Sequence, residues 1–150
     1  MNRKFNLLFT LVASGLLMTA CGGKDGSSPT TPTSSLTATV EINGLKASSG
    51  AWGDGYRTSL HFNLIERNGV AIVVDSLNVE VSNGTTTGTC TWNSSEVSSI
   101  FASNRIGARQ NRDGDVACDS PTATTSAKVT VGWNDDNLHR GVATATASVQ

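Results

Sequence analysis

A chain of 150 residues with a formal net charge of −1 has room for one sizeable core, and no basic excess that would point to nucleic acid or anionic lipid. Charged residues make up only 15% while Ser, Thr, Gly and Asn abound, a balance that suits a secreted β protein and excludes a mainly helical one. There are three cysteines, Cys21, Cys90 and Cys118, and an odd count in an exported chain leaves one to be explained.

Arg3 and Lys4 open the chain, Phe5 to Met18 is largely apolar, and the small residues Thr19 and Ala20 precede Cys21. This is the tripartite pattern of a secretory signal peptide. The apolar run of about 14 residues falls short of the roughly 20 needed for a transmembrane helix. The ending Met18-Thr19-Ala20-Cys21 resembles the lipobox of bacterial lipoproteins. That resemblance implies cleavage after residue 20, acylation of Cys21 with diacylglycerol and further acyl chain (palmitate), and an anchor to the membrane through that lipid. Gly22 follows the cysteine in place of Asp, which in didermal lipoproteins implies sorting to the outer membrane.

Residues 22–35, GGKDGSSPTTPTSS, contain nothing able to bury an apolar face and read as a flexible tether, so that 21–35 comprises the lipidated cysteine and its spacer. The folded domain is expected over 36–150. Leu36, Ala38, Val40 and Ile42 share one parity, the period of a half-buried strand, and Asn43-Gly44 reads as a turn. From Thr58 to Ile65 the pattern places Leu60, Phe62 and Leu64 inside and Ser59, His61 and Asn63 outside. Glu66-Arg67-Asn68-Gly69 reads as a polar turn. Val70 to Val74 is apolar, and Leu77, Val79 and Val81 alternate after a phase shift at Asp75-Ser76 that predicts a bulge or short connection. Asn83-Gly84 is the next turn and Thr85 to Trp92 the next strand.

Residues 93–121 are the least regular. Val97 to Phe101 fits a strand or a helical turn, Ile106 to Ala108 another short piece, and Asn111 to Asp115 a loop. Ala127, Val129, Val131 and Trp133 then alternate with polar residues, and Gly141 to Val149 forms the last strand across the loop at residues 134–140. About seven short strands with no long amphipathic helix predict an all-β antiparallel sandwich. The ending VTVGWNDDNLHRGVATATASV resembles the final hairpin of bacterial immunoglobulin-like or fibronectin-III-like extracellular domains, and GVAIVVDSLNVEVSNG is similar to a central strand pair of the same modules. The resemblance implies an immunoglobulin-like β-sandwich. The chain departs from it at Leu138-His139-Arg140, where such domains often carry a glycine.

With Cys21 assigned to lipid, Cys90 and Cys118 are left as a pair in an oxidising compartment, and a disulfide is the expectation, stapling the irregular stretch between them. Free buried thiols and a metal site are the competing readings, though the two distant histidines give no ligand spacing. No G-x-S-x-G elbow, phosphate loop or H-E-x-x-H is present. Two acidic stretches are candidates for a structural Ca²⁺, one with Asp113 and Asp115 and the other with Asp135 and Asp136, although neither alone supplies the six to eight oxygen ligands required. No other cofactor is expected. Trp52 and Tyr56 flank Gly53-Asp54-Gly55 and are candidates for stacking against a sugar. The expectation is therefore a non-enzymatic, lipid-anchored cell-envelope protein, monomeric, whose domain is structural, adhesive or partner-binding. A carbohydrate-binding module and a small hydrolase working through His139 are the alternatives. Its partners are the membrane and an envelope protein or glycan, not nucleic acid.

Overall fold

The computed structural model describes residues 36–150, so the predicted signal peptide, Cys21 and the tether lie outside the described residues. In chain order the elements are β1 (Val40–Trp52), β2 (Gly55–Glu66), β3 (Ile72–Ser82), β4 (Thr87–Asn93), α1 (Ser94–Ile100), β5 (Arg105–Ile106), β6 (Asn111–Ser120), β7 (Ser126–Asp135) and β8 (Arg140–Ser148). They form two antiparallel sheets, β1-β2-β6 and β4-β3-β7-β8, with the two-residue β5 beside β3. The chain is an all-β sandwich. With β1, β2 and β6 in the places of strands A, B and E, and β4, β3, β7 and β8 in those of C′, C, F and G, the strand order is immunoglobulin-like.

One core lies between the sheets. Leu60, Phe62 and Leu64 of β2 face Leu77, Val79 and Val81 of β3 and Val129 and Val131 of β7, all essentially inaccessible to water. Each side chain of this kind contributes about 1.5–3 kcal/mol of burial. Ser59 and His61 on the alternate parity are exposed, as their pattern predicts. The phase shift at Asp75-Ser76 is a β-bulge, seen as a slip in register against β7 between Val74 and Ser76.

Two segments differ from their sequence pattern. Asn43-Gly44 is not a turn but an irregularity inside β1, where pairing with β2 slips between Asn43 and Lys46. Gly44 takes φ 61 there and its N–H donates to Asn43 Oδ1, so the dipeptide supplies a bulge and the strand runs on to Trp52. Asn111 to Asp115 is not a loop but the first half of β6. Its inward position is Gly114, which lies beneath the rings of Phe101 and Phe62, where any Cβ would collide with Phe101. The position that would have announced a strand carries no side chain.

The ambiguous stretch after β4 resolves as a helix. Asn93 Oδ1 accepts from the N–H groups of Ser95 and Glu96, and Glu96 Oε2 accepts from Asn93 N–H, a reciprocal capping box. Val97 of α1 is fully buried, and Phe101 packs edge-on against Phe62 with centroids 5.9 Å apart. In the β7–β8 turn Leu138 adopts φ 67, a left-handed conformation that favours glycine.

Both lateral seams of the sandwich are tied. Cys90 of β4 and Cys118 of β6 form a disulfide with Cα atoms 5.7 Å apart, joining the edge strand of one sheet to that of the other. On the opposite side β1 meets the end of the chain through a parallel bridge between Ala47 and Val149. Ser49 N–H donates to Gln150 O, and Gln150 N–H to Ala47 O. Residues 36–39, which lead into β1, are clamped at one pole. Asn68 Nδ2 donates to Thr37 O and Thr39 Oγ1, Arg67 N–H to Thr39 O, Ala38 N–H to Asp135 Oδ2, and Asn137 Nδ2 to Leu36 O.

Candidate functional site

The outward face of β1-β2-β6 carries a row of paired polar side chains. Alternation turns Arg57, Ser59, His61 and Asn63 of β2 to this face, and the pairing register sets Asp119, Ala117, Asp115 and Asp113 of β6 opposite them in that order. Donor therefore meets carboxylate across the strands. Arg57 binds Asp119 through two hydrogen bonds of 2.7 and 2.9 Å, His61 Nδ1 lies 2.9 Å from Asp115 Oδ1, and Asn63 Nδ2 donates to Asp113 Oδ1 at 2.7 Å. The hydrogen bonds from Arg57 hold the Asp119 carboxyl below its ordinary range against the opposing effect of desolvation.

In the middle of the face the cross-strand row is Ser48, Ser59 and Ala117, three short side chains. They leave an open depression of about 600 Å³, walled by Lys46, His61 and Asp115. A second depression of about 360 Å³ shares Ser48 and Ser59 and extends to Trp52 and Arg57. The two adjoin at Ser48 and Ser59 and together are referred to as the groove. At its far end Trp52 is 57% exposed, and the Arg57 guanidinium sits 4.0 Å from the ring centroid. The indole is thus backed on one face by a cation that Asp119 in turn holds in place.

Trp52 and Tyr56 are not brought together. Trp52 pairs with Gly55 and Ala51 with Tyr56, so alternation sends the tyrosine to the opposite face of the sheet. The stretch between them is a tight hairpin turn at Gly53-Asp54. Asp115 lines the groove and Asp113 lies two residues away on β6, opposite Asn63, whereas Asp135 and Asp136 lie at the β7–β8 turn on the other sheet. Asp135 has a buried side chain that accepts from the N–H groups of Ala38, Asn137 and His139 and from the His139 ring. Burial pushes its pKa up, and these donors together more than reverse the push. Asp136 is held by two hydrogen bonds from Arg105. Among the described residues no three His, Cys, Asp or Glu side chains come together as a metal-holding cluster. His139 serves the turn through Asp135.

Sequence reasoning singled out Trp52 but not Arg57 and Asp119, which fix it, nor the short-side-chain row that opens the groove. The parity of β2 announced Ser59 and His61 as outward. Their partners on β6 are hidden because Asn111 to Asp115 reads as a loop and the residues after it show no clear pattern.

No family model and no characterised protein matches the chain in sequence. Solved structures do share the fold. The Northeast Structural Genomics Consortium target SoR45 is 8% identical, with a TM-score of 0.50 over 75% of this chain and 85% of that one. A Bordetella pertussis protein designated ApaA is 10% identical, with a TM-score of 0.50 over 76% of this chain and 94% of its own. At such identities the likeness concerns the β-sandwich alone.

Proposed function

We propose that this protein is a non-enzymatic binding module of the bacterial cell envelope, anchored to the outer membrane through lipid on Cys21 and engaging its partner with the outward face of β1-β2-β6. The observation that carries the binding role is the open groove on that face, where Arg57 and His61 are held by Asp119 and Asp115 and so stand in position before any ligand arrives. The anchoring role rests on the resemblance of Met18-Thr19-Ala20-Cys21 to a lipobox and on the short apolar run before it. His139, the residue a hydrolase would use, lies at the β7–β8 turn of the other sheet, away from that groove, with its ring hydrogen-bonded to the Asp135 carboxylate.

Replacing Cys21 tests the anchor. In cells fed an alkyne-tagged palmitate, the wild-type protein incorporates label and sediments with the outer-membrane fraction. Cys21→Ala takes up no label and appears in the soluble fraction. A Cys21→Ala protein that still sediments with membranes would falsify the assignment.

A further inference from the structure

We infer that the groove across β1-β2-β6 is a saccharide site, specific for an uncharged oligosaccharide and using Trp52 as its stacking platform. The inference rests on the binding-module reading and gives it a ligand class. A large indole more than half exposed at the end of a strand gains little from folding, and here the fold holds it rigid. Arg57 lies against the ring at 4.0 Å, and two hydrogen bonds to Asp119 lock the guanidinium. One indole face is covered and the exposed remainder is presented to solvent in a fixed pose. Such a platform suits the apolar C–H face of a sugar ring, with little ordering cost on binding.

From the indole the groove runs past Ser48 and Ser59 to Lys46, His61 and Asp115. Along β2, Arg57 to His61 spans about 13 Å at the usual strand rise, the scale of a short oligosaccharide rather than one ring. The floor is low and carries hydroxyls, and the walls carry both donors and acceptors, which matches the mixed character of sugar hydroxyls. Charge complementarity selects the class. Arg57 is neutralised by Asp119, and Lys46 and Asp115, which line the other end, carry opposite formal charges, so no net formal charge is left to attract an acidic or a basic ligand.

The experiment uses the full mature lipoprotein in detergent micelles. Tryptophan fluorescence is followed during titration with cellohexaose, xylohexaose, mannohexaose, maltohexaose and chitohexaose, with polygalacturonate as the acidic comparison. At least one neutral hexaose gives a saturable change. Trp52→Ala weakens it by about tenfold or more and Trp52→Tyr by less, read by calorimetry because the reporter is altered. Ala117→Arg, which fills the floor from an exposed strand position, also abolishes binding, while Thr144→Arg on the other sheet leaves it unchanged. Circular dichroism confirms that each variant is folded. The inference is overturned if no neutral hexaose binds, if only polygalacturonate binds, or if binding survives both Trp52→Ala and Ala117→Arg. A photocrosslink from position 117 to an envelope protein, with no saccharide response, likewise overturns it while leaving the binding-module reading intact. The palmitate and fractionation result is independent of all these outcomes.

Discussion

Two buried carboxylates organise the pole at which the chain enters the domain. Glu66 is 1% exposed, and accepts from Asn68 N–H at 2.7 Å through Oε1, and from Gly69 N–H at 2.9 Å and Arg109 N–H at 2.7 Å through Oε2. Burial alone would raise its pKa, but the backbone donors outweigh burial and hold it below the ordinary value, as they do for Asp135. A carboxylate depressed in the folded state stabilises the protein above its unfolded pKa, and that stability disappears as pH falls through the folded value. The urea midpoint of the wild type should therefore drop once the pH falls below about 4. Glu66→Gln turns an NH₂ toward backbone donors and should cost about 2 kcal/mol at neutral pH. Its midpoint should also decline less steeply in acid than that of the wild type. Parallel acid profiles would show that Glu66 takes no part in the acid response.

Strand β6 shows what alternation can and cannot announce. Val116, Cys118 and Ser120 are buried on one parity, but the same parity continues through Gly114, which contributes no hydrophobic signal. The close approach of Phe101 and Phe62 is what requires the glycine. Gly114→Ala should therefore cost about 1–3 kcal/mol by overpacking, measured as a lower urea midpoint with unchanged slope. The same reasoning explains which elements were legible. β2 and β7 alternate without interruption and read correctly, and the bulge of β3 was visible as a change of phase. The bulge of β1 was not, because Asn-Gly has the same composition in a bulge as in a turn. Glu66 also reads as part of a polar turn, since one of its donors, Arg109 N–H, is distant in sequence. At the candidate site Trp52 stood out by residue type. Its backing by Arg57 and Asp119 depends on a strand register that composition does not reveal.

At the scale of the molecule, Cys90–Cys118 does more than close the irregular stretch between them. It fastens the edge of one sheet to the edge of the other at a position corresponding to strands C′ and E, unlike the B–F bridge of antibody domains. Closing a loop with a sequence separation of 28 is worth about 3–4 kcal/mol on the chain-entropy model, a large part of the roughly 5–15 kcal/mol that holds a domain of this size together. Reduction with dithiothreitol, or a double Cys90→Ser and Cys118→Ser substitution, should lower the melting temperature by roughly ten degrees or more. A melt that does not move would mean that the two sheets hold together without the bridge.

The clamp on residues 36–39 has a mechanical consequence. A pull entering the domain from its N-terminal side reaches β1 at the end where Val40 pairs with Glu66, and without the clamp it would open the β1–β2 ladder one pair at a time, the weakest loading geometry. Five hydrogen bonds, four donated by Arg67, Asn68 and Asn137 and one accepted by Asp135, stand before that first pair, and they reach into both the β2–β3 and β7–β8 turns. Tension is thereby shared between the two sheets before any strand begins to peel.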